Sequence, residues 1–119
     1  MSKGRVFLFH WNQSEAREFA DQLEKDSWDV DCEWEDGTRG GNKVKLDPPN
    51  VVVFYLTRLP SHSRATAEYL AETKATRSIP LIFVGGEGEA LKKTRKKIPN
   101  RLYISEEKLA ATLEKYAKP

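Results

Sequence analysis

The sequence predicts an α/β fold: a doubly wound sheet of five parallel strands in the order 2-1-3-4-5, with helices on both faces. Three observations carry this. Short continuous apolar runs, "RVFLF", "NVVVFYL" and "IPLIFV", have the character of strands buried on both faces. Segments with helical apolar spacing lie between them, and strands that alternate with helices must cross over, which gives a parallel sheet covered on both sides. The length of 119 residues bounds the number of units, since it holds one core, read as one domain over residues 1–119.

Each element has its own justification. "RVFLF" is the first strand. Asn12 and Glu15 then stand at capping-box spacing, and Ala16, Phe19, Ala20 and Leu23 follow as one apolar stripe of a helix. "DVDCEW", Asp29 to Trp34, alternates Val30, Cys32 and Trp34 against Asp29, Asp31 and Glu33, the pattern of a half-exposed edge strand. "EDGTRGGNKVKLDPPN" is the least regular stretch. Its glycines, Gly37, Gly40 and Gly41, with Pro48 and Pro49, leave room for a short helix over residues 42–46 at most.

"NVVVFYL" is the strongest strand and belongs at the centre. A helix over residues 61–76 follows, with Ala67, Leu70 and Ala71 on its buried side and Ser61 or Ser63 as its cap. "IPLIFV" opens on a proline where a strand tolerates one. "GGEGEALKKTRKKIP" reads as a loop and a short basic helix whose narrow stripe is Leu91 and Ile98. "RLYI" is the last strand. Ser105 is expected to cap a final helix with Glu106 and Glu107 in its first turn, Lys115 and Lys118 near its end, and Leu109, Leu113, Tyr116 and Ala117 facing inward.

Composition excludes several classes. Apolar residues make up 39% and charged residues 32%, a globular chain with a wet surface. No stretch approaches the roughly 18 apolar residues of a membrane span, and "MSKGRVFLFHWN" lacks the features of a signal peptide. The chain is expected to be cytoplasmic, and its Met-Ser opening and "EKYAKP" close read as complete. The single Cys32 allows no internal disulfide, and with two scattered histidines, His10 and His62, it makes no zinc site. The net charge of +2 exerts no global pull toward nucleic acid.

"PPNVVVFYLTRLP" in the middle of the chain and "SIPLIFV" some way after it resemble the receiver domain of two-component response regulators, the CheY-like family with a flavodoxin-like fold. The resemblance covers nearly the whole chain and is strongest from Pro48 to Val84. It implies five polar positions at the strand ends: an acidic pair that holds Mg²⁺, a phosphoacceptor aspartate, a Ser/Thr and a lysine. This sequence departs at all five. The acidic pair falls on His10 and Trp11, the phosphoacceptor on Leu56, the Ser/Thr on Gly85 and the lysine on Ser105. The resemblance is therefore to a pseudo-receiver, which implies a non-enzymatic, non-phosphorylatable signalling module acting through protein–protein contact, without cofactor or metal. The alternative is a flavodoxin-like domain that binds a nucleotide or small anion at the mouth made by His10, Trp11, Leu56 and Gly85.

His10 is at a ligand-binding position, but no acid is obviously placed to tune it, and the plainer expectation is a polar residue bonded to nearby backbone. Trp11 is expected to plug the mouth. Ser61 and His62 diverge as neighbours at a helix start and make no nucleophile pair. "VGGEGE" lacks the spacing and lysine of a phosphate loop and reads as a turn. "KKTRKK" is a solvated helix face or a docking patch for an acidic partner, with nucleic acid the weaker option. In receivers the fourth helix, fifth strand and fifth helix form the dimerisation and output face. The resemblance thus makes Lys92, Lys93, Arg95, Lys96, Lys97, Arg101 and Tyr103 the candidate partner-binding face, for an acidic protein or a second copy. The irregular segment 37–49 is the next candidate.

Overall fold

Strands and helices alternate throughout residues 2–117, which the computed structural model describes. In order they are β1 (Arg5–Phe9), α1 (Gln13–Lys25), β2 (Asp29–Glu33), α2 (Gly37–Leu46), β3 (Val51–Tyr55), α3 (Pro60–Glu72), β4 (Leu81–Val84), α4 (Gly88–Lys97), β5 (Leu102–Ile104), a 3-10 turn (Glu106–Lys108) and α5 (Leu109–Tyr116). Every strand pairing is parallel and the order is β2-β1-β3-β4-β5, as expected from the sequence. All five residues of β3 and all four of β4 are buried, because helices cover both of their faces.

The sheet separates two cores. On one face Val6, Leu8, Val53, Tyr55 and Ile82 pack with Leu23 of α1 and Leu113 of α5. On the other, Phe7, Phe9, Phe54 and Phe83 pack with Val44 of α2, Leu70 of α3 and Ile98 at the end of α4. Aromatic rings run across this second face: Phe9 on Phe54 at 4.9 Å, Phe54 on Phe83 at 5.4 Å, and Phe83 on Tyr103 at 4.7 Å. Such stacked pairs add to plain area burial and fix the relative position of four strands.

The largest departure from the sequence reading is α2. It runs the full ten residues from Gly37 to Leu46 rather than over 42–46. Asp36 caps it, its carboxylate accepting the N–H groups of Thr38 and Arg39. The glycines serve packing. A side chain at Gly40 would run into the Phe9 ring, and one at Gly37 into the Thr66 hydroxyl, so α2 sits closer to the sheet and to α3 than any other residue would allow.

Smaller corrections follow the same logic. β2 ends at Glu33, and Trp34 is only half-buried beyond it. Glu33 is 2% exposed, not a solvent-facing member of the alternation. α3 begins at Pro60 and ends at Glu72; neither Ser61 nor Ser63 caps it, and Leu59 precedes it in the left-handed region at φ 42°. Ala71 is half-buried. On α4 the buried contact is Thr94, while Leu91 is half-buried. The Ser105 side chain makes no cap bond; its backbone carbonyl accepts from Lys108 in the 3-10 turn that precedes α5. Tyr116 is exposed, so only Leu109, Leu113 and Ala117 of the expected stripe are buried. Lys118 lies outside the described residues.

Candidate functional site

The carboxyl ends of β1, β3 and β4 are the ligand-binding edge of this topology. Backbone bonds draw the neighbouring loops together there: His10 donates to the Glu33 carbonyl at 3.2 Å, Leu56 to Val84 at 2.9 Å and Gly85 to Ile104 at 3.0 Å. Around this frame the five singled-out positions fill the mouth unevenly. His10 is 0%, Leu56 2% and Trp11 8% exposed. Gly85 is half-buried and Ser105 is exposed at the rim.

His10 and Trp11 are consecutive and leave the sheet on opposite faces. The His10 ring stacks on Tyr55 at 4.7 Å, beside Phe19. Its Nε2 lies 3.0 Å from Glu15 Oε1, and its buried Nδ1 has no partner. Glu15 also pairs with Arg58, from the loop after β3, so one carboxylate joins β1, α1 and that loop. Burial lowers the His10 pKa, opposed by the Glu15 carboxylate, while the Arg58 guanidinium pulls Glu15 below its ordinary range. With Glu15 ionised, Nε2–H donates to it and the imidazole is neutral. The plain expectation for His10 was a bond to backbone with no tuning acid; the acid is Glu15. Asn12 does accept the Glu15 N–H at 3.0 Å, which is half of the expected capping box. The Glu15 side chain completes the His10–Arg58 bridge instead.

Trp11 turns to the α3 side. Its Nε1–H donates to Ser63 Oγ at 2.8 Å, and Ser63 Oγ–H donates to the Tyr55 carbonyl at 2.8 Å. Ser63 was expected at a helix cap and is instead this buried relay. The Trp11 ring forms one wall of an open groove of about 380 Å³ shared with Gly37, His62, Thr66 and Tyr69. Leu56 is covered from above: a Cβ at Gly86 would come within 2.7 Å of Leu56 Cβ. Gly85 and Gly86 have φ of 73° and 81°, so the loop turns tightly over the leucine through a conformation that only glycine adopts freely. Among the described residues no group of three or more His, Cys, Asp or Glu side chains is placed to hold a metal ion.

On the partner-binding candidate face, Lys92, Lys93, Arg95, Lys96 and Lys97 are all exposed on α4. Lys97 lies 3.8 Å from Glu68 of α3. Tyr103 anchors the helix from beneath, its hydroxyl donating to the Ile98 carbonyl at 2.7 Å and lying 3.1 Å from that of Thr94. The Arg95 guanidinium lies over the Tyr103 ring at 5.1 Å. Arg101 is half-buried beside Lys97 and the α3 glutamates.

No protein-family model and no curated protein matches the chain. Solved structures do. The chemotaxis protein CheY4 of Vibrio cholerae superposes with a TM-score of 0.79 at 12% identity, over 97% of this chain and 99% of that one. The signal receiver domain of a modulated diguanylate cyclase from Desulfovibrio desulfuricans gives 0.73 at 19%, over 96% and 93%. The N-terminal domain of a response regulator receiver protein from Methanoculleus marisnigri gives 0.69 at 18%, over 96% of each. At such identities the likeness speaks for architecture alone. The chain adopts the fold of the CheY-like response-regulator receiver domains.

Proposed function

We propose that this chain is a receiver-like regulatory module, one domain over residues 1–119, that works in the cytoplasm by protein contact and without accepting phosphate. The observation that carries the reading is the chemistry of the strand ends. Where the resemblance expects the phosphoacceptor stands Leu56, 2% exposed under a glycine turn, and where it expects the metal-binding acids stand His10 and Trp11. A phosphoryl group has no nucleophile to join there. Mg²⁺ favours several oxygen ligands, which these side chains do not offer. Acetyl phosphate with Mg²⁺ should leave the mass of the chain unchanged; an acid-labile phosphate on it would defeat the reading. Leu56→Asp alone should not restore acceptance, because the metal-binding acids and the lysine are missing too.

The output in this reading is the basic surface of α4. Lys92, Lys93, Lys96 and Lys97 form a block of like charge, which costs a helix a few tenths of a kcal/mol per pair (about 0.2–0.5). An acidic protein surface offsets that cost, and the association should weaken as salt rises. Capture from native lysate, with and without those four lysines changed to glutamate, tests it. Retention of the same partner with unchanged salt dependence would assign the output elsewhere. The groove beside Trp11 favours one second reading, since its volume falls in the range of small-molecule sites. Micromolar binding of a nucleotide or flavin, abolished in Trp11→Ala, would establish that reading instead.

A further inference from the structure

The groove beside Trp11 lies between α2 and α3, and its lining discriminates among ligands. Trp11, His62 and Tyr69 supply rings, and Thr38, Asn42 and Thr66 supply polar groups. Among the described residues that line it there is no Lys, Arg, Asp or Glu, although these make up 32% of the chain. The rings are not consumed by one another. His62 stands 5.5 Å from Trp11 at 49°, a tilted pair, and Tyr69 is 43% exposed and stacks on no other ring among the described residues. Free ring faces of this kind stack on planar ligands.

Thr66 is the second observation. It is only 8% exposed, yet its hydroxyl makes no hydrogen bond among the described residues. Unlike Tyr55 Oη and His10 Nδ1, it is not sealed from solvent. The hydroxyl faces Gly37, where a Cβ would come within 2.4 Å of Thr66 Oγ. Glycine therefore leaves open the space in front of it. A side chain this deep in a fold is nearly always bonded, so a free donor and acceptor in a groove wall points to a polar group that arrives with a ligand.

The surroundings also decide the ligand's charge. A phosphate would find no cation in the lining. The N-terminus of α2 would otherwise attract one, but the Asp36 carboxylate already takes the Thr38 and Arg39 N–H groups there. The Arg39 guanidinium is held by Glu33. We infer that the groove binds an uncharged planar heterocycle of the nucleobase kind, stacked on the free rings with one edge group bonded to Thr66 Oγ, and that it rejects phosphorylated forms of the same compounds. This deepens the second reading, of the groove as a small-molecule site, and rests on it, by naming the class of ligand.

Isothermal titration calorimetry of the full chain with adenosine, inosine and uridine, each beside its 5′-monophosphate, is the test. At least one nucleoside should bind in the micromolar range and about tenfold or more tighter than its monophosphate. Thr66→Val keeps the shape of the side chain and removes the unbonded hydroxyl. It should weaken that binding about fivefold to tenfold while melting at or above the wild-type temperature. Tyr69→Ala, at an exposed position, should weaken it about tenfold or more. A monophosphate that binds as tightly as its nucleoside overturns the inference and leaves the groove a small-molecule site of another class. Nucleoside binding that Thr66→Val leaves unchanged also overturns it. If none of the six compounds binds at millimolar concentration, the inference and the second reading fall together.

Discussion

Removing the charge of Glu33 should destabilise the fold in a pH-dependent way. The carboxylate is 2% exposed at the end of β2 and accepts four bonds. Two come from Arg39, at 2.9 Å from Nε and 2.7 Å from the terminal nitrogen, and two from the N–H groups of Glu35 and Asp36 at 3.0 Å each. Glu33 thereby ties β2 to the turn before α2 and to α2 itself. The Arg39 bond first, and the two backbone donors with it, lower its pKa from an ordinary 4.5 to about 2. A difference of that size corresponds to about 3 kcal/mol at most. Arg39 is 53% exposed, so solvent screening reduces the expected contribution to about 2 kcal/mol. A carboxyl whose pKa is depressed by folding stabilises fully above its unfolded value and loses that effect as pH falls. The contribution is thus complete above pH 4.5 and disappears toward pH 2. Glu33→Gln should lower the urea-unfolding free energy by about 2 kcal/mol at pH 7. It should also flatten the loss of stability between pH 4.5 and 3. A variant as stable as the wild type at pH 7, with the same acid limb, would refute the reasoning.

Further outcomes are expected at Trp11, Gly40 and His10. Trp11→Ala should cost about 3 kcal/mol by thermal or chemical unfolding, because it empties a buried wall of the mouth. Trp11→Phe should cost about 1 kcal/mol, the loss of the Ser63 bond. Gly40→Ala should destabilise by about 1–3 kcal/mol in urea melts although alanine is the better helix former, because the added methyl meets Phe9 and lies 2.9 Å from Glu33 Cγ. His10 should titrate below 6.5 in an NMR pH series, since burial disfavours its cation. Its neutral form then stabilises fully above pH 6.5 and that stability falls as pH drops through the lower folded value. His10→Gln should remove this component and leave the Glu33 limb in place.

The frame of the molecule was legible because periodicity and apolar runs are local signals. "NVVVFYL" and "IPLIFV" announce strands by their own composition, and their alternation with helices dictates a parallel sheet. The order 2-1-3-4-5 is the doubly wound arrangement for five strands in this length, and the edge-like β2 fits its outer place in it. What escaped is non-local. In "GTRGGNKVKL" the glycines read as breakers, yet two are spacers against Phe9 and Thr66, residues distant in sequence. The Asp36 cap was present in "EDG" and was the signal that could have extended α2. Glu33 looked like the polar half of an alternating strand because its partner, Arg39, sat in a segment read as irregular. Ser63 looked like a cap because its partners, Trp11 and the Tyr55 carbonyl, arrive only through the fold. At the mouth, the burial of His10, Trp11 and Leu56 at the strand ends agrees with their place after apolar runs. The Glu15 bridge between His10 and Arg58 was not legible, since Glu15 also fitted a capping box.

A strand-end site without a phosphoacceptor or metal-binding acids should not respond to a phosphoryl donor. The most direct measurement is an amide NMR titration of the full chain with Mg²⁺ and acetyl phosphate, read at Leu56, Thr57, Gly85, Gly86 and Ser105. These resonances should stay in place, with at most salt-like shifts on α4. Saturable shifts at Leu56 and Gly85 that require both Mg²⁺ and the phosphodonor would contradict it.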